Sequence, residues 1–406
     1  MKPFIKLEEL KLKQPIEIKT IAILSKKEIK QEEIVFLNTV LNGKIDIEKL
    51  YQNIIYHKIF PIVYKNIERY SIKFPDIYIE KLKKEYKNNS LKMMLFLGET
   101  ASLLSQLEEN NIEVIPLKGV STSYQIYGNI DSRKSCDIDI LVKEDEFLKA
   151  ASILKNNGYV EIIYDGKSAE KDFEQIKKVS HHISYHNVKK RIDVELHWKK
   201  IISLNIKEYE KNINNFEVIE INGKSIKMFN KIENFLYLAS HGAKHSWSLL
   251  EWLNDLNYIL ACIDKKGIEE ILEKAEKRGC INVILQLFMM LYLIYDVEIP
   301  DELKKYEKRI EKLYYAVEYV INFVIMGKKD KEDSFNKSQK TTLLKIKYYL
   351  SLADNIKDKI IVLNKYLFVP RVDDIKSIKL NKNIKFLYYI IRPFGYIIRK
   401  LKKLFC

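Results

Sequence analysis

Two aspartates one residue apart, Asp137 and Asp139 in Cys136-Asp-Ile-Asp-Ile-Leu-Val142, are the residues of this chain best spaced to do chemistry. On an extended strand they project from the same side, roughly 6.5 Å apart along the chain, while Ile138 and Ile140 point into a core. Two carboxylates that close repel unless a positive charge sits between them, and a hard divalent cation held by oxygen ligands is the usual answer. A third acid is then expected on a neighbouring strand. The stretch Arg191-Ile-Asp-Val-Glu-Leu-His-Trp198 offers two, since its alternation sets Asp193, Glu195 and His197 on one face and Ile192, Val194 and Leu196 on the other.

The elements that must position these acids are readable around them. Val114 to Leu117 is a short apolar strand, followed by a Lys118-Gly119 turn, a short helix, and a loop carrying Arg133. Upstream, helical spacing predicts two to four helices between Lys26 and Tyr70, then a long helix from Ile79 to Glu109 with Met94, Leu97, Ala101, Leu104 and Leu107 as its buried stripe. Downstream, Lys143 to Asn157 is a helix closed by Gly158, and Tyr159 to Tyr164 is a strand. Asp165 to Lys178 is a loop or short helix. His181 to Val188 and Arg191 to Trp198 form an antiparallel hairpin turning at Lys189-Lys190, and Asn222-Gly223 signals a second hairpin. From Lys231 onward the periodicity is helical.

Composition limits the function classes. With 406 residues, 47% hydrophobic content and only 12 glycines and 8 prolines, the chain is globular and helix-rich, with room for two or three domains. Cys136, Cys262, Cys280 and Cys406 have no metal-ligand spacing and form no dense disulfide framework, which fits a reducing cytoplasm. No signal peptide and no membrane-spanning run is evident. The net charge of +15 is concentrated: residues 375–406 hold nine lysines and arginines and no acid. Elsewhere lysine alternates with glutamate as on solvated helix faces, so a nucleic-acid surface on the core is not favoured. The tail itself alternates Phe394, Ile397, Ile398, Leu401, Leu404 and Phe405 with basic residues, the pattern of an amphipathic helix that touches an anionic membrane or docks on its own domain.

The ordered set of LKG, Arg133, DIDILV, VELHW, HGAKHSW and LEWLNDL, from about Ile112 to Leu260, resembles the uncharacterised nucleotidyltransferase family within the DNA polymerase beta-like nucleotidyltransferase superfamily. The resemblance implies an α+β fold: a nucleotidyltransferase-type mixed β-sheet core with N-terminal helices and a C-terminal helical domain. The expected divisions are 1–90 for the helical N-terminal region, 91–230 for the catalytic core, 231–374 for the C-terminal helical domain and 375–406 for the basic amphipathic tail. No GxGxxG follows a strand, which argues against a dinucleotide fold.

The implied activity is a cytoplasmic transferase that moves NMP from an NTP, ATP first among them, to an unidentified acceptor with release of pyrophosphate. It would use two Mg2+ ions, with Mn2+ as a substitute, held by Asp137, Asp139 and Glu195, the family placing its third acid directly before Leu-His-Trp and Asp193 standing as the fallback. Lys118, Gly119, Ser121 and Arg133 would meet the nucleotide, the glycine freeing backbone N–H groups for phosphate and the arginine offering a planar set of donors. Val120 stands where the superfamily usually has serine, and eighteen positions separate Gly119 from Asp137, a longer interval than is common. Lys244 and Asp255 are expected on the acceptor side. His241 and His245, four apart on one helix face, are expected at the interface of sheet and helices, and the tryptophans in core packing. The alternatives from other classes are a catalytically silent nucleotidyltransferase-like binding module and a membrane-associated scaffold built on the tail.

Overall fold

The computed structural model describes residues 2–163, 168, 170–171, 173–177, 180–199, 215–221, 223–325, 334–369, 387 and 389. The basic tail expected at 375–406 therefore lies outside the described residues apart from Leu387 and Tyr389, as does Asn222 of the second hairpin turn.

The fold is α+β, with a mixed sheet among helices. Five strands, β1 (Val114–Pro116), β2 (Ile138–Val142), β3 (Val160–Glu161), β4 (His182–Asn187) and β5 (Ile192–His197), make one sheet in the order β1-β2-β5-β4-β3. Only β2 and β5 run parallel; the other neighbours are antiparallel. β6 (Phe216–Ile221) and β7 (Lys224–Phe229) form the second hairpin as a separate ribbon. The expected strand with two aspartates begins one residue late, at Ile138, so Asp137 ends the preceding loop.

Alternation decides which faces are buried. In β5, Ile192, Val194 and Leu196 are buried as expected, and Ile138, Ile140 and Val142 do the same for β2. They pack with Phe147, Ala150, Ala151 and Leu154 of the helix Phe147–Asn156, and with the second half of the helix Asp76–Glu109. That helix buries Met93, Phe96, Leu97, Leu103 and Leu107, whereas Met94 is 62% exposed. The expected stripe was one step out of phase at its start: Met93 turns inward and Met94 flanks it outside.

A second apolar cluster joins the two ends of the chain. Leu7, Ile21, Leu50, Phe60 and Val63 of the N-terminal helices share one core with Leu236, Leu256, Ile284, Phe288, Leu313 and Val317 of the C-terminal helices. The 34-residue helix Asp76–Glu109, about 50 Å long at ~1.5 Å per residue, contributes Leu82 to this cluster and Met93 onward to the sheet cluster. It ties the helical body to the sheet. No helix among the described residues is long and apolar enough to cross a membrane.

Candidate active site

The acids converge because β2 and β5 are parallel and in register. Asp139 pairs directly with Glu195, and Leu141 with His197. Asp139 is fully buried, and its Oδ1 lies 3.1 Å from both Lys118 Nζ and His197 Nε2. His197 Nε2 also lies 3.2 Å from Glu195 Oε2, so one imidazole bridges the two carboxylates. Glu195 Oε1 stands 3.6 Å from His182 Nε2. Asp193, the other candidate, holds His186 Nδ1 at 2.6 Å and does not line the cleft.

Lys118 and Gly119 follow β1, whose pairing continues through the Leu117 N–H donating to the Asp139 carbonyl at 3.0 Å. Gly119 adopts φ 87° and ψ −140°, a region that side chains rarely enter, and this bend launches the helix Val120–Tyr127 while turning Lys118 onto Asp139. Ser121 is fully buried within that helix, its Oγ has no hydrogen-bond partner among the described residues, and it does not line the cleft.

The loop that carries Asp137 is fastened from two directions. On one side Asp131 accepts from Lys65 Nζ (2.8 Å), the Tyr86 hydroxyl (2.6 Å) and the Ser90 hydroxyl (2.7 Å). On the other, Arg133 Nε donates to Asp255 Oδ2 at 2.9 Å, its Nη2 is 3.7 Å from Glu251 Oε2, and the Lys134 N–H donates to Glu251 Oε1 at 3.0 Å. Tyr127 donates its hydroxyl to Asp255 Oδ1 at 2.7 Å. Asp255 is thus a buried anchor away from the cleft wall rather than an acceptor-side residue, and Arg133 lines the cleft with its guanidinium committed to carboxylates.

The charges follow from this packing. Burial raises the Asp139 carboxyl, but Lys118 and His197 outweigh it and hold Asp139 well below the ordinary carboxylate range. Burial and the Asp139 charge push Asp137 up. Burial would raise Glu195 too, yet the His197 hydrogen bond brings it down, and the two carboxylates in turn raise His197 against its own desolvation. Burial lowers His182 to about 4. Burial raises Glu251 to about 7 despite Arg133.

The cleft measures about 300 Å³ and is lined by Lys118, Arg133, Asp137, Asp139 and Glu195 on the sheet side. The wall facing them comes from the helical body: Tyr237, His241, Lys244, His245 and Trp252. Gly242 makes this possible, because a Cβ there would sit inside the Trp247 ring. The buried Trp247 indole lies against the bare backbone and donates to Gln286 Oε1 at 3.0 Å, which turns His241, Lys244 and His245 to the cleft. Trp247 packs in the core as expected. Trp252 is partly buried against the same core and also lines the cleft, its ring 5.2 Å from His241 and 5.4 Å from His245.

Oxygen donors of Asp139 and Glu195 and a nitrogen of His197 lie within 4.8 Å of one another, a group able to hold a metal ion, with Asp137 lining the same cleft. Carboxylates of this kind suit a hard divalent cation, whose charge would take over the balancing now done by Lys118 and His197.

The sequence model of the uncharacterised nucleotidyltransferase family matches residues 43–296. The chain belongs to that family. The match takes in the acids, the Lys-Gly bend and the whole helical wall of the cleft. No curated protein matches the chain. Among solved structures, the solution structure of the antibiotic-resistance factor ANT(2'')-Ia overlaps 47% of this chain and 94% of its own, at 10% identity and a TM-score of 0.34. The crystal structure of ANT(2")-Ia in complex with adenylyl-2"-tobramycin overlaps 46% of this chain and 98% of its own, at 12% identity and a TM-score of 0.32.

Several cleft residues carried no sequence signal. Lys58 lies far upstream in the N-terminal helices, yet it lines the cleft with its Nζ 3.5 Å from Cys136 Sγ. It arrives there because the buried His57 accepts from the Leu250 N–H on Nδ1 and from the Glu251 N–H on its carbonyl, both at 3.3 Å. His181 and His182, which the sequence marks only as part of a hairpin strand, also line the cleft.

Proposed function

We propose that this nucleotidyltransferase moves NMP from an NTP to an acceptor nucleophile in a divalent-metal-dependent reaction. A bond forms between the acceptor atom and the α-phosphorus, and the bond from that phosphorus to the pyrophosphate oxygen breaks. The single observation that carries this reading is the direct register of Asp139 with Glu195 beside the Lys118-Gly119 bend.

Asp137, Asp139 and Glu195 would hold Mg2+, with Mn2+ as a substitute. When bound, such ions polarise the phosphoryl oxygens and stabilise the developing charge on the nucleophile and leaving oxygens. Glu195 is favoured over Asp193, which is occupied by His186. Lys118, which lines the cleft beside Asp139, would meet a phosphate together with the backbone at Gly119, where no side chain stands in the way. Arg133 acts through the loop: its ion pairs with Asp255 and Glu251 fix where Asp137 sits. Lys244 and its neighbours His241 and Trp252 form the wall against which the acceptor would lie. ATP is the first donor to try.

The test is incubation of the full chain with each α-labelled NTP, Mg2+ and a cell lysate, followed by identification of the labelled product. A product that requires Asp139 establishes transfer. Calorimetric NTP binding that is unchanged by Asp137→Asn with Asp139→Asn, together with no labelled product, would replace this reading with a silent binding module.

A further inference from the structure

Five of the chain's seven histidines line the cleft described above, and three of them converge. We propose that His181, His182 and His197, beside Glu195, form a second cation site that takes a borderline transition ion such as Co2+, Ni2+ or Zn2+ in preference to Mg2+.

One ring nitrogen from each of the three histidines lies within 4.8 Å of the others. Two nitrogens bound to one ion at ~2.1 Å can stand no more than ~4.2 Å apart, so closure of the three onto an ion needs small side-chain movements only. The rings already approach one another, with centroids 4.5 Å apart for His181 and His182, 5.0 Å for His182 and His197, and 5.6 Å for His181 and His197.

The backbone explains how neighbours in sequence reach one place. Consecutive residues of a strand point to opposite faces. His181 lies one residue ahead of β4, however, so its side chain is free of that alternation and joins His182 at the cleft. Lys244 Nζ stands 3.3 Å from His181 Nε2. An ammonium only donates, so that nitrogen is the acceptor and carries no proton, and it can take a cation once Lys244 swings aside. Glu195 Oε1, 3.6 Å from His182 Nε2, is the oxygen placed to complete the set.

Donor chemistry then separates the two sites. Imidazole nitrogens favour Co2+, Ni2+ and Zn2+, while Mg2+ selects oxygen and dehydrates reluctantly. Asp137 and Asp139 give the harder, oxygen end of the cleft, His181 and His182 the softer one, and Glu195 and His197 stand between them. The proposal shares Glu195 with the nucleotidyl-transfer reading but does not require transfer to occur.

The test uses Co2+ as the probe, titrated into the chelator-treated full chain in excess Mg2+ and followed by visible absorption. The expected result is the intense spectrum of a nitrogen-ligated, four- or five-coordinate ion, saturating at one Co2+ per chain. His181→Ala with His182→Ala should remove the band and weaken Co2+ binding by about tenfold or more, the scale of loss when a metal's surroundings are stripped. His182→Asn, which keeps a polar side chain of similar bulk, should weaken the band with an unchanged circular-dichroism spectrum. A pale octahedral spectrum from the wild type, displacement of Co2+ by Mg2+, or a band that survives the double substitution overturns the site. Labelled transfer in Mg2+ without a cobalt band removes this site and leaves the transferase; a cobalt band without transfer does the reverse.

Discussion

Asp139 and Glu195 face each other directly across the parallel pair β2 and β5, with the His197 imidazole bonded to both. The two acids of β5 can therefore be told apart by experiment. Glu195→Gln should lower labelled transfer by about a hundredfold or more, the loss seen when one preorganised electrostatic group is removed. Asp193→Asn should stay within about twofold of the wild type, because Asp193 spends its carboxylate on the half-exposed His186. Equal losses in the two variants would refute the assignment.

Lys118→Met tests what balances Asp139. The substitution leaves a fully buried carboxylate with His197 alone, and breaking a buried pair costs about 3–5 kcal/mol. Chemical denaturation in chelator at pH 7 should report that loss. Since Lys118 helps depress Asp139, the stability it brings is present above the unfolded carboxyl range and fades as pH falls, so the difference between variant and wild type should narrow in acid. Adding Mg2+ should narrow it at pH 7.

Gly119→Ala separates backbone strain from crowding. An added Cβ would meet nothing nearer than Ser135 Oγ at 3.8 Å, so space is available. The backbone region is the obstacle, and the expected destabilisation is about 1–3 kcal/mol, read from the denaturation midpoint.

The buried trio of Arg133, Asp255 and Glu251 should show a pH signature. It places one guanidinium against two carboxylates, and Glu251, raised to about 7 by burial, is the one that keeps its proton. A group whose folded pKa is raised stabilises the fold below its unfolded pKa and loses that contribution as pH rises through the folded value. Wild-type stability should therefore decline between about pH 4.5 and 7 through this group, and Glu251→Gln should flatten that segment while still accepting from the Lys134 N–H. Asp255→Ala, which strips Arg133 of its 2.9 Å partner, should cost about 3–5 kcal/mol at any neutral pH.

Much of the fold was legible because its signals are local. The alternation in Ile138–Val142 and Ile192–His197, the Lys189-Lys190 and Gly223 turns, and the helix stop at Gly158 each need only a few neighbouring residues. Three helices, Gln31–Leu41, Ile47–Tyr56 and Phe60–Arg69, fall in the stretch where two to four were expected, while those at Lys2–Leu12 and Ile16–Leu24 lie in the helical region expected at 1–90 without having been placed one by one. The site was less legible, because it depends on pairings remote in sequence. That β5 would lie parallel to β2 with Glu195 opposite Asp139 follows from no local pattern. Likewise, the donors that occupy Asp255 come from Arg133 and Tyr127, more than a hundred residues away, so nothing near Asp255 in sequence reports that it is buried. Lys58 reaches the cleft only through the bonds of His57 to Leu250 and Glu251, a link between the chain's two halves.

The apolar cluster shared by the first and last thirds of the chain has a consequence for synthesis. Leu7, Ile21 and Leu50 emerge from the ribosome long before Ile284, Phe288 and Val317, the side chains they pack with, have been made. At about 5–20 residues per second, the leading helices wait for some tens of seconds with their greasy faces uncovered. The sheet, whose partners lie closer together along the chain, can assemble in the meantime, so nascent chains halted near residue 230 should carry an ordered sheet and protease-sensitive leading helices, from Lys2 to Arg69, that become resistant only after the later helices are released.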